Sequence, residues 1–226
     1  MTRAVDGLLS VYERLYARYG PQHWWPGESH LEIIVGAILT QSVAWRNVEQ
    51  AIANLKAVDA LATPAALAAL PQDELAALIR PAGYYNAKAR KIHAFLGYLG
   101  ANYDLQLDRF CAQEMGQLRR ELLSVWGLGP ETADAILLYV AEKPVFVIDA
   151  YTKRLFSRLG LVPEQIDYHA LQAIFMQGLP HEVKLFQEYH ALIVRHAIST
   201  CRKQRPLCGE CPLRASCSFA KLATAG

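Results

Sequence analysis

The residue types best able to do chemistry lie in the second half of the chain. Cys201, Cys208, Cys211 and Cys217 follow a C-x6-C-x2-C-x5-C spacing, which gathers four soft thiolates in one short loop. Disulfides are the poorer explanation, because a chain of 226 residues can bury a sizeable core without cross-links and the cysteines crowd into one end. Four thiolates in a loop suit a zinc ion or an iron–sulfur cluster, and spacing alone leaves both open. Arg202, Lys203, Arg205 and Arg214 stand between and around them. Folding the loop round a centre would display these cations together, an arrangement suited to phosphate. Cys111 stands apart in a polar helical stretch and reads as a packing residue.

Two further segments carry chemistry. In Leu122 to Ala133, one helical pattern ends and another begins across Gly127-Leu128-Gly129-Pro130. A two-glycine turn exposes backbone amides, and at a helix start those amides and the helix dipole can hold a phosphate without reading sequence. A plain connector uses the same residues. In Val145-Phe146-Val147-Ile148-Asp149-Ala150-Tyr151-Thr152, an acid closes an apolar run and opens a helix. Asp149 there suits an N-cap, and a carboxylate held by backbone amides is also rigidly placed and ionised.

The elements that must position these groups are helical. Apolar residues recur three and four apart from Asp6 to about Arg195, and the alanine-rich run Ala65 to Leu78 reads as one packed helix. Pro144 to Ile148 reads as an extended connector. Short turns at Gly20-Pro21, Pro26-Gly27, Pro81-Ala82-Gly83 and Gly178-Leu179-Pro180 separate the helices, with no long linker or repeat. No stretch approaches the roughly 20 apolar residues of a membrane span, and no secretory leader pattern opens the chain, so a soluble, cytoplasmic protein is expected. The net charge of +2 is too small to name a partner by itself.

Taken in this order, the motifs resemble the helix-hairpin-helix DNA glycosylase superfamily, and its endonuclease III branch in particular. Gly127-Leu128-Gly129-Pro130-Glu131-Thr132-Ala133 matches the hairpin, Asp149 the catalytic aspartate, and the four cysteines the [4Fe-4S] spacing. Leu39-Thr40-Gln41 and Gly83-Tyr84-Tyr85-Asn86-Ala87-Lys88-Ala89 extend the likeness over most of the chain. The resemblance implies an all-α fold of two helical domains with a DNA-binding cleft between them. One is a six-helix barrel over residues 22–132, ending in the helix-hairpin-helix; the other joins 1–21 to 133–226 and carries the cluster loop 201–217. It also implies double-stranded DNA containing a damaged base as partner, a monomer without membrane contact, and a place at the nucleoid. Gln41 and Tyr84 align with loops that fill the gap left by an extruded nucleotide, while Gly127, Gly129 and Thr132 would hold the backbone.

One departure bears on mechanism. Bifunctional members carry a hairpin lysine whose amine forms a Schiff base with the sugar; here that position is Glu131, which cannot form an imine. Lys143 and Lys153 lie nearby in sequence but outside the motif position. The resemblance therefore implies a monofunctional glycosylase. Trp24, Trp25 and Pro26, with Trp45 after the Gln41 loop, offer aromatic faces that attract a cationic base by about 0.5 to 2 kcal/mol per contact. Glu131 would add negative charge. The Trp-Trp-Pro segment and the Gly-Pro-Glu-Thr-Ala hairpin also resemble the 3-methyladenine DNA glycosylase III branch, which points to alkylated purines such as 3-methyladenine. Oxidised-pyrimidine glycosylase/lyase chemistry, or DNA binding by an iron–sulfur protein without catalysis, are the alternatives.

Overall fold

The computed structural model describes residues 2–24 and 27–223; Trp25 and Pro26 lie outside the described residues. The described residues are helical and form no strand. In chain order the helices are α1 (Thr2–Tyr19), α2 (His30–Leu39), α3 (Trp45–Lys56), α4 (Pro64–Ala69), α5 (Gln72–Leu78), α6 (Tyr85–Tyr103) and α7 (Leu107–Cys111). They continue with α8 (Met115–Ser124), α9 (Pro130–Tyr139), α10 (Ala150–Leu159), α11 (Tyr168–Gly178), α12 (Val183–Ser199) and α13 (Ser218–Ala223). Short 3-10 turns occupy Arg80–Ala82, Cys208–Glu210 and Arg214–Ser216. Among the described residues no helix is long and apolar enough to cross a membrane.

The alanine-rich run is two helices, not one. Thr63 caps α4 by accepting from the Ala66 amide, with Pro64 at the first helical position. Pro71 then forces Leu70 out of the helical region, to φ −68 and ψ 129, and α5 starts afresh at Gln72. Pro144 to Ile148 forms neither helix nor strand and leads to Asp149, which is extended.

The chain divides into two compact units, Met1–Trp24 with Pro144–Gly226, and Trp25–Lys143. The second boundary falls at Lys143, beyond the expected 132, because α9 packs along both α2 and α8 and stays whole with them. In the first unit, α1, α10, α11 and α12 surround an aromatic centre. Phe146 stacks on Phe175 at 4.0 Å and meets Phe186 and Tyr189 edge-on. The buried Tyr189 hydroxyl donates to the Leu8 carbonyl at 2.7 Å, tying α12 to α1. In the second unit α9 is buried on every side from Thr132 to Tyr139, and its Asp134 is matched by Arg119 of α8 through bonds of 2.6 and 3.0 Å. A paired charge is what permits an acid there.

Candidate functional site

Asp149 is placed by the connector before it. Val145, Phe146, Val147 and Ile148 are all buried, and Gln172 of α11 donates to the Phe146 carbonyl at 2.7 Å, satisfying a backbone group no strand serves. The connector delivers Asp149 in extended geometry as the N-cap of α10. Its Oδ1 accepts from both the amide and the hydroxyl of Thr152, each at 2.7 Å. Its Oδ2 faces Nε2 of His190 on α12 at 3.5 Å. Burial alone would raise this carboxyl; the facing His190 and the two Thr152 bonds outweigh it and hold the group below the usual carboxylate range. The indole of Trp24 lies 5.6 Å from the His190 ring, so an aromatic face, an imidazole and a carboxylate follow one another within the first unit. Trp25, expected beside Trp24, lies outside the described residues. Sequence reasoning missed His190: it sits among apolar neighbours on α12, and no spacing rule links it to an aspartate on another element.

The hairpin belongs to the second unit. α8 ends at Ser124, Gly127 turns the chain with φ +83, and Gly129 caps α9 ahead of Pro130. A side chain at Gly127 would stand 2.6 Å from Cγ of Lys91, so both conformation and space call for glycine. Glu131 is exposed in the first turn of α9, whereas Thr132 is buried. Two of the expected DNA-contacting residues meet directly: Nε2 of Gln41 donates to Oγ1 of Thr132 at 2.9 Å. Gln41 Oε1 accepts from the Lys91 ammonium. Tyr84 is 77% exposed with φ +47, a left-handed conformation uncommon for an aromatic residue. Trp45 is half-buried at the first position of α3. The exposed Trp126 carries the Arg90 guanidinium over its ring at 4.0 Å, a pair the motifs did not signal.

Residues 35–181, spanning both the hairpin and Asp149, match the HhH-GPD superfamily of base excision DNA repair proteins. The chain belongs to that superfamily. Among relatives, a Methanocaldococcus jannaschii protein named "Putative DNA repair glycosylase" is 44% identical over 217 residues, covering 93% of this chain and 95% of its own. The structure of a non-covalent endonuclease III–DNA complex superimposes with a TM-score of 0.84 over 98% of this chain and 99% of that one, at 20% identity. The 3-methyladenine DNA glycosylase MagIII of H. pylori, bound to 1,N6-ethenoadenine, gives 0.73 over 86% of this chain and 97% of that one, at 27% identity.

In this HhH-GPD chain the four loop cysteines are free thiols that line one cavity together with Leu155, Arg158, His196 and Leu213. Among the described residues no three His, Cys, Asp or Glu side chains are grouped to hold a single metal ion. A tetrahedral zinc site, with Zn–S near 2.3 Å, needs thiolates about 3.8 Å apart. Arg158 closes the cavity, donating to Sγ and the carbonyl of Cys201 at 3.4 Å each and to the Arg202 carbonyl at 2.7 Å. Arg202, Lys203, Arg205 and Arg214 all stand exposed on this loop. Cys111 is elsewhere, half-buried, with its thiol donating to the Val140 carbonyl at 3.7 Å.

Proposed function

We propose that this chain is a monofunctional DNA N-glycosylase that releases alkylated purines, of which 3-methyladenine is the type, by hydrolysis at Asp149. The observation that carries the reading is the Asp149 carboxylate itself, buried, fixed on one oxygen by Thr152 and kept ionised beside His190. N-glycoside hydrolysis passes through a sugar with developing positive charge at C1′, and a preorganised anion stabilises that charge without reorganising. The same carboxylate orients a water toward C1′ and accepts its proton as the base departs. An alkylated purine that already carries positive charge leaves readily and needs little acid assistance. The face of Trp24, 5.6 Å from the His190 ring beside Asp149, favours such a base over a neutral one. Glu131 at the motif position also supports a reaction that ends at an intact abasic strand, because a carboxylate cannot form the Schiff base that precedes strand cutting.

Cys201, Cys208, Cys211 and Cys217 would hold a [4Fe-4S] cluster. Four soft thiolate donors lining one cavity are the donor set such a cluster takes. When bound, the cluster supplies cross-linking of the loop, which keeps its exposed cations gathered for phosphate; the hydrolysis belongs to the protein's own groups. The glycine turn would grip the backbone of a duplex, with Gln41 and Tyr84 entering it when the damaged base leaves the stack.

The test uses duplex DNA methylated at random by an alkylating agent. Released bases are identified by mass spectrometry before any strand-cleavage step. Methylated purines released with the backbone intact are expected. Release of oxidised pyrimidines alone, or no release from any lesion, would overturn the assignment.

A further inference from the structure

We propose that Lys88 is a positioning residue that locks the Gln41 loop and the Tyr84 loop into one rigid wedge, so that the two enter a duplex together or not at all. The proposal rests on the reading of those loops as duplex-penetrating. Lys88, on the first turn of α6, is 2% exposed. Its ammonium donates to the Leu39 carbonyl at 2.8 Å and to the Ala82 carbonyl at 2.8 Å. Both acceptors close an element: Leu39 is the last residue of α2, and Ala82 the last of the Arg80–Ala82 turn. Carbonyls at such ends have no partner within their own helix, and one side chain satisfies both. Directly beyond each lies an expected DNA loop, Thr40-Gln41-Ser42 after α2 and Gly83-Tyr84 after the turn.

Both loops hold a non-glycine residue in the left-handed region, Ser42 at φ +56 and Tyr84 at φ +47. Such conformations persist only where the surroundings impose them. One turn along α6, Lys91 holds the Gln41 side chain itself, so a single helix face controls both loops. A lysine is an expensive choice for this position. Burial, with Lys91 nearby, lowers its pKa to about 8, whereas an apolar side chain of similar length would fill the space without that penalty. The neutral amine retains two N–H groups, enough for both carbonyls, so the lock survives deprotonation.

The experiment reads unstacking of 2-aminopurine beside a stable abasic-site analogue in a duplex. It compares the native chain with Gln41→Ala, Tyr84→Ala and the double variant, and repeats the cycle in Lys88→Met. In the native chain each single substitution is expected to remove most of the signal and the double to remove little more, a shortfall from additivity of about tenfold, within the range of coupled neighbours. In Lys88→Met the two effects become additive, with helical circular dichroism retained. Additive effects in the native chain, or equal coupling in Lys88→Met, would overturn the lock while leaving the wedge reading intact. If neither single substitution alters the signal, the wedge reading fails and takes the lock with it. Should Lys88→Met not fold, the native-chain cycle alone decides.

Discussion

Asp149 and His190 face each other across α10 and α12, Oδ2 to Nε2 at 3.5 Å, while Thr152 occupies the other carboxylate oxygen. One oxygen thus serves the helix start and the other faces an imidazole. Capping and chemistry are divided between two atoms of one side chain.

That division makes Asp149→Asn an informative variant. Asparagine caps as well as aspartate, so α10 should remain intact, but the charge is gone. Base release should fall roughly 10²- to 10³-fold, with the helical circular dichroism retained and only the carboxylate's own contribution to stability lost. Undiminished release would remove Asp149 from the mechanism.

His190→Gln tests the facing pair through pH. The imidazole is one of the groups that offset burial, so its removal should let the Asp149 carboxyl rise toward or above its ordinary value. Since the carboxylate is the active form, the acid limb of kcat/KM should move to higher pH. A limb that stays in place would show that His190 does not act on Asp149.

The same depressed carboxyl has a stability consequence of defined sign. The folded chain gives up this proton more easily than the unfolded chain, whose aspartate titrates near 3.9, so the contribution of Asp149 is complete above about pH 5 and is lost as pH falls through the lower folded value. Urea unfolding of the native chain and of Asp149→Asn should therefore converge on acidification. Divergence would contradict the assigned direction.

At the hairpin, Glu131→Lys restores the amine that bifunctional relatives use. The native chain should give no borohydride-trapped adduct with abasic DNA, and the variant should give one. A trapped adduct from the native chain would identify another amine, and Lys143 or Lys153 would be examined first.

Arg119→Ala leaves Asp134 charged and wholly buried on α9 without its guanidinium. Removing one partner of such a pair costs about 3 to 5 kcal/mol, which chemical denaturation would register as an earlier midpoint. A loss under about 1 kcal/mol would place Arg119 among ordinary surface ion pairs.

Much of this was legible from residue order. The helical pattern, the glycine turn and the acid closing the Val145–Ile148 run are local signals, and local chemistry fixes a cap or a turn within a few residues. What escaped was either non-local or hidden by residue type. Pro71 broke the alanine-rich run because one ring outweighs the propensity of its neighbours. His190 and Asp149 meet only when α12 packs on α10. Lys88, in Asn86-Ala87-Lys88-Ala89-Arg90-Lys91, reads as one more solvated cation until burial shows where its ammonium goes.

The isolation of Cys111 offers a practical handle on the other four thiols. Burial pushes its pKa up to about 11, leaving roughly one thiolate in ten thousand at neutral pH. A thiol-reactive dye applied to native protein should therefore report on the loop cysteines with little contribution from Cys111. Dye uptake over time would then chart release of the proposed cluster from the loop, without reference to iron or to activity.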